Sequence, residues 1–218
     1  MADVALICGA GGALGGALVE AFLARGDDVV AVDRSPGESS HGRLRWEAAD
    51  LTDPEAVEAL WDRLDTTPRW VVNAVGGFRG GTLAASEPDD HRFVFDLNLG
   101  TAWWSCRAAA RRLGEGAAIV NISSRAAFEG GTGSASYAVA KAAVVRLTEV
   151  LAAELAPRVR VNAVLPSVID TPQNRASLSA ERVAKAVPPA VIAATVATLC
   201  SDDAAATSGA AIPVYGWA

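Results

Sequence analysis

The chain alternates short apolar runs with longer segments in which apolar residues recur every three or four positions. The short runs have the length of buried strands, and the longer segments have the period of helices that cover one face of a sheet. We predict strands at residues 4–8, 28–33, 70–75, 117–122, 159–165 and 211–214, and helices at 13–24, 52–64, 87–113, 136–155, 179–186 and 190–200. This order predicts the α/β class, as a single Rossmann-type, doubly wound parallel sheet with helices on both faces.

Two of the predicted helices carry local signals. Residues 52–55 read Thr-Asp-Pro-Glu, which predicts a capping box that begins a helix at Thr52 with Pro54 in its first turn. Within the segment 87–113 we expect two helices or a kink near Leu99 and Gly100. No repeat or linker divides the sequence, so we expect one domain over residues 1–218.

Composition excludes several classes of protein. Of the 218 residues, 51% are hydrophobic and 20% are charged, which is enough apolar material for a large core. The net charge of -6 argues against a nucleic-acid partner. Cys8, Cys106 and Cys200 are odd in number and lack metal-site spacing, so we expect neither disulfides nor a metal. The longest uncharged runs are under 18 residues and are broken by Gly or Pro, so we expect a cytoplasmic protein with no membrane partner.

A glycine-rich turn joins the first predicted strand to the first helix. It reads Cys8-Gly-Ala-Gly-Gly-Ala-Leu-Gly15, and its backbone N–H groups can point at a pyrophosphate, although such turns also serve packing. Asp33 ends the second strand, where a carboxylate accepts hydrogen bonds from the ribose hydroxyls of NAD and repels a 2′-phosphate. Arg34 could instead bind that phosphate, and Asp33 could be a solvated turn acid. We therefore expect NAD(H) to be the preferred cofactor, with NADP(H) as the alternative.

Tyr137 and Lys141 lie one helical turn apart on the predicted helix 136–155. They stand out because the chain has 2 Tyr and its 19 basic residues are 17 Arg and 2 Lys. An ammonium about 5 Å from a phenol, at an effective dielectric constant of about 20, favours the phenolate by about 3.3 kcal/mol and predicts a lowered phenol pKa. Ser124 ends the fourth strand, where its hydroxyl and the phenol can meet on one carbonyl oxygen. Taken alone, the pair could be an exposed pair on a solvated helix face.

The order of these motifs resembles the classical short-chain dehydrogenase/reductase family over nearly the whole chain. That family has a Gly-rich turn, an acid after the second strand, Asp-Leu, Asn-x-x-Gly, a helix asparagine, a serine, Tyr-x-x-x-Lys and Pro-x-x-x-x-Thr. The matching residues are Gly9, Gly12 and Gly15, Asp33, Asp50-Leu51, Asn73 to Gly76, Asn98, Ser124, Tyr137 with Lys141, and Pro166 to Thr171. The family's strand count also implies a short strand near residues 44–46.

The resemblance implies a role for each matched residue. Tyr137 would transfer the proton, Ser124 would orient the substrate oxygen, and Asn98 would position a water molecule. Lys141 would lower the pKa of Tyr137 and, with Tyr137, contact the nicotinamide ribose. The implied cofactor contacts are Gly9, Gly12, Ala13, Leu14 and Gly15 at the pyrophosphate, Asp33 and Arg34 at the adenosine ribose, Asp50 and Leu51 at the adenine, Asn73, Ala74, Val75 and Gly76 along the adenosine and ribose, and Pro166, Val168, Ile169 and Thr171 at the carboxamide.

The chain departs from the family pattern in its first motif. Cys8 stands where the family has Thr, and Ala13 where it has Gly. The sequence Gly-Ala-Leu-Gly and the segment 165–175 resemble dihydropteridine reductase, a subgroup that lacks the catalytic serine, whereas Ser124 is present here. The leading hypothesis is an NAD(P)-dependent oxidoreductase acting on a small carbonyl or alcohol substrate. The alternatives are a quinonoid dihydropteridine-type reductase and a non-catalytic NAD(P)-sensing regulator.

Three features outside the motifs concern substrate and assembly. The segment after Thr171 is short for the family, which implies a reduced lid and a more open pocket. Phe78 and Arg79 follow the Asn-x-x-Gly motif and line either a substrate pocket or a loop surface. Trp103 and Trp104 lie on the helix that pairs subunits in the family, so we expect a homodimer or homotetramer, although core packing would explain one of the two equally well.

Overall fold

Seven strands form one parallel sheet within residues 2–39 and 41–216, the part of the chain that a computed structural model describes. They are β1 (Val4–Cys8), β2 (Asp28–Asp33), β3 (Leu44–Ala48), β4 (Trp70–Asn73), β5 (Ala117–Ile122), β6 (Val159–Pro166) and β7 (Ala211–Val214). Their order across the sheet is β3-β2-β1-β4-β5-β6-β7. The helices are α1 (Ala13–Arg25), α2 (Pro54–Asp62), α3 (Pro88–Phe95), α4 (Thr101–Arg112), α5 (Ala135–Leu155), α6 (Pro172–Ser177), α7 (Ala180–Ala184) and α8 (Pro189–Leu199). Among these described helices, none is both long and apolar enough to cross a membrane.

Helices cover both faces of the sheet. On one face α1 and α8 contribute buried residues such as Phe22 and Ile192 to a core built on the strands. On the other face α2, α4 and α5 contribute residues such as Leu60, Cys106 and Leu151. The predicted doubly wound α/β class is therefore confirmed.

The predicted elements differ from the structure mainly at their ends. β1, β2, β5 and β7 have the predicted bounds, whereas β4 ends at Asn73, two residues before the predicted end. β3 is present and reaches Ala48, and α6 was not predicted. The prediction missed α6 because that helix is short and its residues are half-buried or exposed, so no apolar period marks it.

The predicted capping box at Thr52 is wrong. The N-cap of α2 is Asp53, whose Oδ1 accepts a hydrogen bond from the Glu55 backbone N at 2.9 Å, and Pro54 is the first helical residue. The Thr52 hydroxyl donates instead to Asp50 Oδ1 at 2.6 Å. Thr52 and Asp53 are both good capping residues. Because the Thr52 hydroxyl is bonded to the carboxylate of Asp50, Asp53 caps the helix instead.

The irregularity predicted near Leu99 and Gly100 is a π-helical turn over Asp96–Gly100 that joins α3 directly to α4. The helical segment therefore neither breaks nor separates into two distant helices. A π turn carries one more residue than an α turn. It contains Asn98, whose side chain is almost completely buried.

The sheet order opens a crevice between β1 and β4. From β1 the chain continues to β2 and β3 on one side, and from β4 it continues to β5, β6 and β7 on the other. The connections therefore diverge at the carboxyl ends of these neighbouring strands, which is where open parallel sheets bind ligands.

Candidate active site

In the turn between β1 and α1, two glycines allow close contacts between backbone segments. Gly9 has a φ of +86°, a left-handed conformation that favours glycine, and a Cβ there would lie 2.8 Å from the backbone N of Val75. A Cβ at Gly15 would lie 2.1 Å from the carbonyl oxygen of Gly9. Gly12 is the extended N-cap of α1, and the first turn of that helix holds no acidic side chain. The turn therefore has little side-chain bulk and no acidic side chain, and the first N–H groups of the helix are directed toward it. These properties fit a pyrophosphate.

Asp33 ties the glycine-rich turn to the end of β2. Its Oδ2 accepts a hydrogen bond from the backbone N of Gly11 at 3.0 Å, and its Oδ1 accepts one from the backbone N of Arg34 at 2.8 Å. A Cβ at Gly11 would lie 3.0 Å from Oδ2. Sequence reasoning missed Gly11, and the consecutive glycines Gly11 and Gly12 were the signal that could have found it.

Asp50 and Leu51 follow β3 but point to different surroundings. Hydrogen bonds from Thr52 hold the pKa of Asp50 below its usual value, and the charge of Arg34 adds to this effect. Asp33, Arg34 and Asp50 therefore lie close together after β2 and β3. The Leu51 side chain is buried in the core under α2, so a side-chain contact from Leu51 to adenine does not fit this structure.

The side chain of Asn73 lies inside the fold and does not line the crevice. Its Nδ2 donates to Asn121 Oδ1 at 2.8 Å, and Asn121 Nδ2 donates to the Thr148 hydroxyl at 3.0 Å. These buried bonds join β4 to β5 and to α5. The expected contact of Asn73 with the adenosine is therefore corrected to a structural role, and Asn121, which sequence reasoning missed, shares it.

Lys141 anchors α5 to the end of β5. Its side chain is buried, its Nζ donates to the Ile122 carbonyl oxygen at 3.0 Å, and the Ser123 hydroxyl donates to the Lys141 carbonyl oxygen at 2.7 Å. Lys141 Nζ lies 5.9 Å from the ring centroid of Tyr137, one helical turn earlier. Ser124 follows Ser123, and its side chain interacts with the phenol. The hydroxyl, phenol and ammonium therefore meet at the carboxyl end of β5.

Gly76 and Asn98 complete the surroundings of Lys141. A Cβ at Gly76 would lie 2.9 Å from Asn98 Oδ1 and 3.0 Å from Lys141 Nζ. Asn98 Nδ2 donates to the carbonyl oxygens of Gly77 and Val94, both at 2.9 Å, and Asn98 Oδ1 accepts from the Gly77 backbone N at 3.2 Å. The amide of Asn98 therefore holds the loop after β4 beside the ammonium, and the water molecule that Asn98 would position stays a prediction.

The segment that follows β6 forms backbone contacts with Val187. Val168 O accepts from the Val187 backbone N at 2.8 Å, and Ile169 pairs with Val187 in a parallel bridge. Pro166 is the buried last residue of β6. Thr171 Oγ1 caps α6 by accepting a backbone N–H, which leaves its hydroxyl proton free to donate.

The chain is similar in sequence to known proteins. A family model described as enoyl-(acyl carrier protein) reductase matches residues 9–216. L-xylulose reductase of Bos taurus is 32% identical, over 97% of this chain and 94% of that protein. Meso-2,3-butanediol dehydrogenase of Serratia marcescens is 33% identical, over 99% of this chain and 94% of that protein. The chain belongs to the short-chain dehydrogenase/reductase family.

Solved structures of similar proteins have the same fold. Aldohexose dehydrogenase of Thermoplasma acidophilum superposes with a TM-score of 0.87 at 26% identity, over 99% of this chain and 93% of that one. A blue fluorescent protein from a metagenomic library, in complex with NADPH, superposes with a TM-score of 0.86 at 29% identity, over 98% of this chain and 96% of that one.

Family membership establishes the class of reaction. The short-chain dehydrogenase/reductase described here is an NAD(P)-dependent oxidoreductase that acts on CH–OH or C=O groups. The named relatives are dehydrogenases and reductases, which favours an enzyme over the non-catalytic regulator. The finer likeness to dihydropteridine reductase stays a prediction.

The protonation of Tyr137 and Lys141 differs from the sequence-based expectation. Burial raises the pKa of Tyr137, and a hydrogen bond with Ser124 only partly opposes this. Burial also lowers the pKa of Lys141 to about 8. The prediction of a lowered phenol pKa is therefore wrong for this structure, because it counted the attraction between the two charged forms and omitted the cost of burying each of them.

Separate alanine substitutions at Gly15 and Gly16 test the backbone contact of the turn. Gly15→Ala forces a Cβ into the Gly9 carbonyl oxygen, so we expect a loss of about 1–3 kcal/mol in the free energy of unfolding, with weaker NADH binding. An added Cβ at Gly16 meets nothing within 4 Å in the described chain, so Gly16→Ala should stabilise the helix by about 0.5–1 kcal/mol. Urea unfolding measures both, and shifts of equal sign and size would contradict the contact.

Proposed function

We propose that the enzyme reversibly reduces the carbonyl group of a small molecule, with Tyr137 as general acid in reduction and general base in oxidation. The observation that carries the proposal is the convergence of the phenol, the Ser124 hydroxyl and the buried Lys141 ammonium at the end of β5. The nicotinamide ring, when bound, supplies or accepts the hydride.

Each of these side chains has a distinct task in the proposed reduction. The hydroxyls of Tyr137 and Ser124 donate hydrogen bonds to the substrate oxygen. As the substrate carbon is reduced, its oxygen takes the phenolic proton, and the phenolate later regains a proton from solvent. The raised pKa of Tyr137 keeps this acid protonated at neutral pH. Lys141, with a pKa of about 8, is mostly charged at pH 7 and stabilises the phenolate that proton transfer leaves behind.

We assign cofactor binding to the crevice between β1 and β4. The close backbone contacts of the turn support a pyrophosphate there, and Lys141 Nζ, fixed beside Gly76, is placed to hold the nicotinamide ribose. The residues assigned by this proposal are Gly9, Gly12, Ala13, Leu14, Gly15, Asp33, Arg34, Asp50, Ala74, Val75, Gly76, Tyr137, Lys141, Pro166, Val168, Ile169 and Thr171.

We further infer that NAD(H) is the preferred cofactor. Both carboxylate oxygens of Asp33 are oriented by backbone N–H groups, and each keeps a lone pair for a ribose hydroxyl. The fixed negative charge disfavours a 2′-phosphate at the same place. Arg34 is the residue that would accommodate NADP(H), and its charge acts on Asp50 here.

Assembly and location extend the same proposal. Trp103 on α4 and Val139 and Val150 on α5 are large apolar side chains that the single chain leaves substantially exposed. They support a homodimer or homotetramer in which these two helices pair between subunits. One domain over residues 1–218 and a cytoplasmic location stay predictions.

Substitution of Tyr137 and Ser124 tests the reaction. Tyr137→Phe removes the proton donor and should lower kcat/KM by about 10²–10⁴-fold with an unchanged melting temperature. Ser124→Ala should lower it by about 10²–10³-fold. Nicotinamide absorbance with carbonyls, alcohols and quinonoid dihydropterins is the assay. Full activity of Tyr137→Phe would overturn the mechanism, and near-normal turnover of a dihydropterin by Ser124→Ala would favour the pteridine alternative.

The lowered pKa of Lys141 predicts a basic limb in the pH profile. As the pH rises through about 8, free enzyme loses the Lys141 charge while Tyr137, with its raised pKa, stays protonated. We expect kcat/KM for NADH, at saturating carbonyl substrate, to be level below pH 7 and to fall about tenfold per unit well above pH 8. Lys141→Arg should lose this limb, show a far lower plateau and have a lower free energy of unfolding, because a guanidinium stays charged but is too broad for the buried space beside Gly76. A wild-type profile that is level to pH 10 would contradict the role of Lys141.

Asp33→Asn tests the cofactor preference. The single amide oxygen can still accept the Gly11 N–H, although the bond to the Arg34 N–H is then lost, so the turn should stay tied to β2 while the negative charge is removed. We expect the ratio of NADPH to NADH affinity, measured by fluorescence titration, to rise by about tenfold or more. Arg34→Ala is the paired control and should weaken NADPH binding more than NADH binding. Tighter binding of NADPH than NADH by the wild type would refute the preference.

A further inference from the structure

We infer that Phe78 determines substrate specificity by forming an apolar wall beside Tyr137, and that it favours carbonyl compounds with a flat, apolar group such as an aryl ring on the carbonyl carbon. The inference rests on the proposed function. The ring centroids of Phe78 and Tyr137 are 5.3 Å apart and the ring planes cross at 79°. This is the edge-to-face arrangement that aromatic pairs prefer.

The loop that carries Phe78 is attached to the rest of the chain on both sides. Gly77, directly before it, exchanges two hydrogen bonds with the buried side chain of Asn98. Gly81, three residues after it, donates its backbone N–H to the Gly133 carbonyl oxygen at 2.9 Å. The phenyl ring is therefore held beside the phenol by a constrained backbone.

The neighbouring side chain on this loop is already engaged. The Arg79 guanidinium forms an ion pair with Asp90 and stacks on Phe93, with its Cζ 3.8 Å from the ring centroid. Phe78 therefore contacts the phenol ring, whereas the charge of Arg79 is paired with that of Asp90 on α3. The side chain of this loop that contacts Tyr137 is therefore the apolar ring of Phe78.

Phe78 remains 62% exposed despite these constraints. When a ligand covers a large apolar side chain that is already held in place, removal of that apolar surface from water stabilises the complex. Gly80 leaves room for the ring, since a Cβ there would lie 3.3 Å from Phe78 Cε1. Phe78 thus has both the position and the uncovered surface of a binding wall.

The position of the substrate oxygen determines which group of the substrate contacts Phe78. With that oxygen on the hydroxyls of Tyr137 and Ser124, a group on the carbonyl carbon can lie against the Phe78 ring. A phenyl group there gains apolar and aromatic contact. The hydroxyls of a polyol against the same ring would lose hydrogen bonds to water without replacement. The wall therefore selects aryl carbonyl compounds over polyhydroxylated ones.

A matched pair of diketones tests the inference. 1-Phenyl-1,2-propanedione and 2,3-butanedione share the reacting group and differ in a phenyl against a methyl substituent. We expect the wild type to prefer the phenyl compound by about tenfold in kcat/KM, and Phe78→Ala to lose this preference mainly through a higher KM. Phe78→Leu should retain part of it. Val191→Ala, which truncates an exposed apolar side chain on α8, across the sheet from α5, should leave it unchanged.

A binding measurement separates recognition from turnover. In Tyr137→Phe protein with NADH present, fluorescence titration should show that adding Phe78→Ala weakens binding of 1-phenyl-1,2-propanedione about tenfold and that of 2,3-butanedione less than twofold. Equal effects on both ligands, or no effect, would overturn the role of Phe78. A wild type that reduces 2,3-butanedione without preferring the phenyl compound would overturn it too and leave the proposed reaction intact. Failure to reduce any carbonyl compound with NADH or NADPH would overturn the proposed function itself.

Discussion

The buried ammonium of Lys141 is the interaction on which the geometry of the site depends. Removing such a charge from water is costly, and the hydrogen bond to the Ile122 carbonyl oxygen offsets part of the cost. The same nitrogen lies against Gly76 and near Asn98. Helix α5, the end of β5 and the loop after β4 therefore meet at one atom. A longer, forked side chain could not share this space, which accounts for a lysine in a chain that otherwise relies on arginine.

The fold was predictable where strands are buried on both faces. β1, β2 and β5 are apolar runs that stop at a Gly, Asp or Ser signal, so their bounds could be read directly. β3 is an edge strand of sequence Leu-Arg-Trp-Glu-Ala with half-buried residues, and such a run does not stand out from a loop. The choice between Thr52 and Asp53 as a cap depended on the nearby Asp50 carboxylate, which lies outside the local pattern.

The candidate site was predictable in its membership but less so in its chemistry. The order of motifs was enough to select Ser124, Tyr137 and Lys141, because spacing along a strand and a helix determines which side chains can meet. The pKa values were not accessible in the same way, since they depend on burial, and burial depends on the packing of distant segments. Asn73 illustrates the same limit. Its motif position suggested the crevice, and its pairing with Asn121 inside the sheet placed it elsewhere.

The π-helical turn at Asp96–Gly100 also sets the rotation of α4 relative to α3. An α-helix rotates about 100° per residue, so α4 would be turned by about that angle if the same residues formed a regular helix in place of the π turn. Cys106 and Ala109, now in the core, would then face away from the sheet, or, if α4 kept its packing, the amide of Asn98 would leave the loop that it holds. The π turn therefore phases two helical surfaces at once, one for packing and one for the site.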